Sequence, residues 1–175
     1  MSIVKAFGKY IIRNVESSDL ENVYKMRKYV VSESDTVLSS EQEVTIEGMK
    51  SWIDSWKDNP KRLFLVVEFE SEIIGQLWVW FLDNKAKLSH VAEFGLEIVK
   101  EHRGAGLGTE LCQIAMEWAY ENGAKRLQAE TLEKNIPMRK ILEKLGFELE
   151  GKMKSYFKYN GKYEDVVIYG KLFNE

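Results

Sequence analysis

The chain has 175 residues, of which 45% are hydrophobic and 30% charged, so it has enough apolar material for one packed domain and is far from disordered composition. The formal charge of −3 argues against a nucleic-acid partner, which calls for a strong basic excess. One cysteine, Cys112, and two histidines, His90 and His102, leave no disulfide and no cysteine- or histidine-built metal cluster, so no metal is expected.

The start, MSIVKAFGKYIIRN, lacks an apolar core followed by small residues, and no apolar run approaches a membrane span. The expectation is a cytoplasmic protein with no membrane partner. No repeat, linker or low-complexity tract divides the chain, so residues 1–175 read as a single domain.

Lys9 to Asn14 is apolar-centred and reads as the first strand. Asp19 to Val31 carries Leu20, Val23, Tyr24, Arg27 and Val31 at roughly helical spacing. Ser40 and Glu43 have the spacing of a capping box ahead of a second helix, whose Met49, Trp52, Ile53 and Trp56 recur at i, i+3, i+4 and i+7. Asn59-Pro60 ends that helix.

Arg62–Glu70 and Ile73–Leu82 are rich in β-branched and aromatic residues and read as a hairpin turning at Ser71-Glu72. Val91–Val99 is a further strand, followed by a glycine-rich stretch and a helix over Thr109–Asn122 that Gly123 closes. Arg126–Leu132 is a strand, and Ile136–Leu145 a short helix stopped by Gly146. Phe147–Tyr159 and Tyr163–Phe173 form a hairpin about Asn160-Gly161. The expected fold class is therefore α/β of the α+β kind: a mixed, mostly antiparallel twisted sheet flanked by helices, in the order β-α-α-β-β-β-α-β-α-β-β.

One motif is sharp. Arg103-Gly104-Ala105-Gly106-Leu107-Gly108 lies between a strand and a helix, where glycines let the backbone approach an anion and the helix start points its amides at it. Thr109-Glu110 after Gly108 excludes a Walker loop, which requires Lys-Ser/Thr there. A dinucleotide fingerprint fails too: Thr109 stands where its third glycine belongs, and too few elements follow to build a doubly wound sheet, even though Glu130 stands about where a ribose-binding acid would.

These residues resemble the GCN5-related N-acetyltransferases, or GNAT family. Arg103-Gly-Ala-Gly106-Leu-Gly108 fits their acetyl-CoA pyrophosphate loop, Gln/Arg-x-x-Gly-x-Gly/Ala, with Thr109 in the first turn behind it. Leu96-Glu97-Ile98 is similar to the family strand that hydrogen-bonds the pantetheine arm. Asn135 matches the asparagine that opens the next helix, and Leu145-Gly146-Phe147 the Leu-Gly-Phe that closes it. The specific match covers about residues 90–173, and the tail around Asn160-Gly161 and Asp165 most resembles the ribosomal-protein and spermidine acetyltransferase branch.

The resemblance implies transfer of an acetyl group from acetyl-CoA to a primary amine of a small molecule or peptide, by direct attack in a ternary complex. A protonated amine cannot attack, so a base is required. Glu130, five residues before Asn135, and Glu93, in Ala-Glu-Phe-Gly, occupy the two positions where relatives carry that glutamate. Amides near the splayed strand would polarise the thioester carbonyl. The sequence departs from the pattern at Leu142, where many relatives place an acidic tyrosine; Tyr156, Tyr159, Tyr163 and Tyr169 are its alternatives in the tail. That departure keeps open a non-catalytic acyl-CoA-binding module.

Arg139 and Lys140 read as surface charge, though within reach of a CoA phosphate, and Cys112 as packing. Between Tyr29 and Met49 stand Glu33, Asp35, Glu41, Glu43 and Glu47 with no lysine or arginine. An acidic wall there would favour a cationic acceptor such as a polyamine or a peptide N-terminus; the plainer reading is a solvated surface. A homodimer is compatible with the resemblance.

Overall fold

The computed structural model describes residues 3–37 and 39–173; Leu38 and the two ends of the expected 1–175 domain lie outside the described residues. Twelve main elements follow in chain order: β1 Val4–Phe7, β2 Tyr10–Asn14, α1 Leu20–Glu33, α2 Ile46–Trp56, β3 Arg62–Phe69, β4 Glu72–Phe81, β5 Val91–Ile98, α3 Leu107–Glu121, β6 Arg126–Leu132, α4 Ile136–Lys144, β7 Glu148–Tyr159 and β8 Lys162–Leu172. All eight strands join one sheet in the order β1-β2-β3-β4-β5-β6-β8-β7, and only β5 and β6 run parallel.

The expected class holds, with one strand more than the pattern gave. β1 pairs with β2 about a Gly8-Lys9 turn. It is an edge strand with Val4, Lys5 and Ala6 exposed, so it lacks the alternation that marks a half-buried strand. The first hairpin in the middle of the sheet turns at Glu70-Ser71 rather than Ser71-Glu72, and both turn residues have positive φ, 50° and 66°. Helix α2 starts later than Ser40–Glu43 implied. Its cap is Thr45, whose Oγ1 accepts from the Gly48 amide at 3.1 Å, while Glu43 closes a separate turn onto the Ser40 amide at 2.5 Å.

The helices divide between the two faces. On one face α2 lays Trp52 on Phe64 and Trp78, with ring centroids 4.6 and 5.4 Å apart. On the other, α3 buries Leu107, Leu111, Ile114, Ala115 and Trp118, a stripe at i, i+4, i+7, i+8 and i+11, with Trp118 against Phe81. Each large side chain so buried contributes about 1.5–3 kcal/mol. No described helix is long and apolar enough to cross a membrane.

Candidate active site

The site begins where two strands part. β5 is held along its length by β4, from Ala92–Phe81 to Ile98–Gly75, and β6 along its length by β8. Between themselves β5 and β6 pair only at Val91–Arg126, Ala92–Leu127 and Glu93–Gln128. Beyond Glu93 and Gln128 they separate, and the edge of β5 from Phe94 to Ile98 has no strand partner on that side. Backbone groups on such an edge need hydrogen bonds from elsewhere, so it is a ready template for an extended amide-bearing ligand. Leu96, Glu97 and Ile98 all lie on it.

The glycine loop follows at once. Gly104 and Gly106 have φ of 78° and 85°, which a side chain would strain, and Gly106 is the N-cap of α3 without any side-chain cap. Within the described residues the amides of residues 104–109 find no acceptor. Gly104, Ala105, Gly106, Leu107, Gly108 and Thr109 thus present donors at the positive end of a 15-residue helix, a fit to a pyrophosphate.

Arg103 does something different from reaching out to an anion. Its Nε donates to the Ile98 carbonyl at 2.8 Å and its guanidinium pairs with Glu33 of α1. It therefore pins the loop to the end of β5 with its charge compensated. His102 beside it hydrogen-bonds Tyr10 at 3.1 Å and packs on Phe69. Asn135 caps α4 through the Met138 amide at 3.4 Å and donates to Thr131 at 3.1 Å, so it ties the end of β6 to the helix.

Register places Glu93, Gln128 and Glu130 on one face of the sheet, the face of Gln76, Trp78 and Trp80. Glu150 and Arg126 form a paired fork; Arg126 Nε donates to Gln128 Oε1 at 2.9 Å, and Gln128 Nε2 donates to Glu93. This chain crosses from β7 to β5 and fixes Glu93 at the last paired position. Glu130, one step into the gap, has no hydrogen bond or ion pair within the described residues. Although water reaches its surface, burial and then the nearby Glu93 charge hold its carboxyl above the ordinary carboxylate range.

A cavity of about 350 Å³ opens on the same face, between α1 and α2. Arg27, Ser39, Thr45, Trp52 and Trp78 line it. Arg27 pairs with buried Glu97, which also accepts from Gln76 Nε2 at 2.8 Å, and Arg27 donates to Ser39 at 2.9 Å. The Trp78 indole lies flat on Gly95, where a Cβ would come within 2.7 Å of the ring. Of these Gly95, as part of Glu93-Phe94-Gly95, and Glu97, as part of Leu96-Glu97-Ile98, carried a motif signal. Gln76, Trp78 and Trp80 at i, i+2 and i+4 could have flagged one decorated strand face; Arg27 and Gln128 were indistinguishable from surface polar residues.

Position 142 supplies no acid: Leu142 has no ionisable group and is fully buried. Tyr169 donates to Glu143 at 2.7 Å and accepts from Arg139 at 3.1 Å, so its hydroxyl is engaged beneath α4. Arg139 is drawn inward by that contact and by the Glu133 carbonyl at 3.0 Å. Tyr156, Tyr159 and Tyr163 are exposed on the last hairpin. Two of the five acids of the acidic stretch are paired: Glu33 with Arg103, and Asp35 with Lys134, which also holds Glu164 at 2.9 Å.

Comparison with known proteins agrees with this geometry. The model of the acetyltransferase (GNAT) domain matches residues 9–148. A Bacillus subtilis (strain 168) protein provisionally named [ribosomal protein bS18]-alanine N-acetyltransferase is 28% identical over 167 residues, 95% of this chain and 98% of that one. The L-amino acid N-acetyltransferase AaaT of Escherichia coli (strain K12) is 26% identical over 167 residues, 94% and 99% of the two chains. The structure of a phosphinothricin acetyltransferase from Sinorhizobium meliloti in complex with acetyl-CoA has a TM-score of 0.84 at 18% identity, covering 94% of this chain and 88% of that one. The chain belongs to the GNAT acetyltransferases, enzymes that move an acetyl group from acetyl-CoA to an amine.

Proposed function

We propose that Glu130 is the general base of this transfer and Glu93 the fixed charge that tunes it. The observation that carries this is their unequal environment on one face: Glu93 is hydrogen-bonded in place, whereas the Glu130 carboxylate stands inside the gap without a partner among the described residues and is held above the ordinary carboxylate range. Acetyl-CoA supplies the acetyl thioester. The amides of residues 104–109 hold its pyrophosphate, the free edge at Leu96–Ile98 accepts its extended arm, and Arg103 and Asn135 position the loop and α4 around it.

The acceptor arrives as an ammonium, attracted by two carboxylates that form no ion pair among the described residues, Arg126 being paired with Glu150. Glu130 takes one proton from the ammonium, the amine nitrogen bonds to the acetyl carbon, the carbon–sulfur bond breaks, and the second proton shed by the nitrogen goes to the departing thiolate. With leucine at 142, the thiolate leaves without a tyrosine at that position.

Glu130→Gln keeps the shape and removes the base. kcat/KM should fall roughly 10²–10⁴-fold with acetyl-CoA binding intact, and higher pH should restore part of it, because more amine is then already neutral. The native enzyme's kcat/KM should rise through an acid limb that lies above the ordinary carboxylate range, and Glu93→Gln should shift that limb to lower pH. If Glu130→Gln stays within threefold of native while Glu93→Gln is inactive at every pH, the roles are reversed.

A further inference from the structure

We infer that the cavity between α1 and α2 is a subsite for the acceptor's carboxylate, so that the acceptor is a zwitterion, a free amino acid, rather than a polyamine or a protein N-terminus. The inference rests on the transferase reading and adds to it which end of the acceptor goes where.

The cavity and the two glutamates share a sheet face but differ in charge. Toward the gap, Glu93 and Glu130 make the floor negative, with only the neutral Gln128 amide between them. The parallel register of Glu93 with Gln128 sets the base Glu130 level with Gly95, and two residues further along β5, roughly 7 Å by strand rise, Glu97 stands under Arg27. Trp78, seated on Gly95, lies between the two ends.

Arg27 is set up as an anion receptor. Its guanidinium stands 5.6 and 5.7 Å from the Trp52 and Trp78 ring centroids, within cation–π range, and its side chain is only 12% exposed. One bond to Glu97 and one to Ser39 use two of its five N–H groups. Glu97 thereby compensates the burial of the cation and holds the fork rigid, and three donors remain.

A second feature points the same way from another element. Helix α2, 11 residues long, starts directly after its cap Thr45, which lines the cavity together with Gly48; the Ile46 and Glu47 amides of its first turn have no acceptor within the described residues. The cavity's own carboxylate, Glu43, is turned onto the Ser40 amide. A second ammonium, as in a polyamine, would face both the guanidinium and the positive end of the helix. A peptide N-terminus would have an amide where the fork offers to bind a carboxylate. The indoles of Trp52 and Trp78 give the cavity an apolar wall.

The test is an acceptor panel read by thiol release: the common L-α-amino acids, each against its carboxamide, with spermidine and isopentylamine alongside. Rates are referred to the neutral-amine concentration, because carboxamides are weaker bases. The best amino acid should exceed its carboxamide at least tenfold in kcat/KM. Arg27→Lys, which leaves a cation for Glu97, should raise KM for the acid at least tenfold and change the carboxamide less than threefold. Thermal melting and acetyl-CoA binding report that the lysine variant is folded. Carboxamides, spermidine or isopentylamine used as well as the acids, or an equal loss on acid and amide in the lysine variant, would overturn the subsite and leave the transferase reading standing. Acetyl-CoA bound without thiol release to any amine would overturn both.

Discussion

Gly106 shows how much a single position carries. Its φ of 85° is a conformation that costs a side chain roughly 1–2 kcal/mol, and a Cβ there would meet Phe7 at 3.4 Å. Gly106→Asp adds to that a negative charge at the mouth of the anion site. The dissociation constant for CoA should rise at least tenfold, about 1.4 kcal/mol, in a folded protein; isothermal titration would read it, and an unchanged constant would remove the loop from cofactor binding. Cys112 marks the opposite case. Burial alone pushes its thiol up to about 12, so it is a packing atom of α3 and not a nucleophile. The loop, Glu93, Glu130 and Asn135 were singled out in the sequence by their resemblance to the family pattern, each at a set distance from the glycines or from Asn135. Arg27 and Gln128 were not: each acts through contacts made only by folding, Arg27 with Glu97 seventy residues away and Gln128 with Glu93 thirty-five away.

Among the elements, hairpins and helices with strong local signals were readable to within a residue or two. β6 was placed at its observed bounds, and the Asn160-Gly161 turn joins β7 to β8 as expected. β1 was invisible for the reason given above, that an exposed edge strand carries no apolar alternation. The turn at Glu70-Ser71 was misplaced by one residue because neither residue advertises the positive φ that both adopt. A two-residue turn of that shape favours Asn-Gly. Ser71→Gly should relieve about 1–2 kcal/mol of backbone strain and return about half to one of it as unfolded-chain entropy. The net gain should raise Tm by about 1–3 °C, read by calorimetry, without altering kcat. A lower Tm would mean that the Ser71 side chain contributes more to the turn than its strain costs.

At the scale of the whole molecule, ion pairs tie distant segments together. Arg13 of β2 grips Asp19 with two bonds of 2.7 and 2.8 Å, and reaches Glu68 on β3. Burial alone would push the Asp19 carboxyl up, but Arg13 and the Glu16 amide outweigh it and leave the group below its ordinary value. A carboxyl depressed in the folded state contributes stability that is fully present above its unfolded value, about 3.9, and lost as pH falls through the folded value. Asp35, Glu150 and Asp165 are depressed as well, by Lys134, by Arg126 and by the Ser155 amide respectively. Their exposure to solvent screens the first two pairs. Tm should therefore decline steeply from about pH 4 downward, and Arg13→Gln should flatten that decline; an unchanged slope in the variant would show that the Arg13–Asp19 pair contributes nothing to acid lability.

The short pairing of β5 with β6 has a dynamic consequence. Three register pairs join a five-stranded half, β1 to β5, to a three-stranded half, β6, β8 and β7. Such a seam is where a sheet divides into cooperative units that open separately. In native-state hydrogen exchange the two halves should show distinct opening free energies, with the fastest-exchanging strand amides at residues 94–98 and 129–132. Acetyl-CoA lying along the seam would act as a ninth strand. At a hundred times its dissociation constant it adds about 2.7 kcal/mol to the folded state, and protection should rise in both halves together. The substrate then also fastens the sheet, and an enzyme between turnovers is looser than one at work.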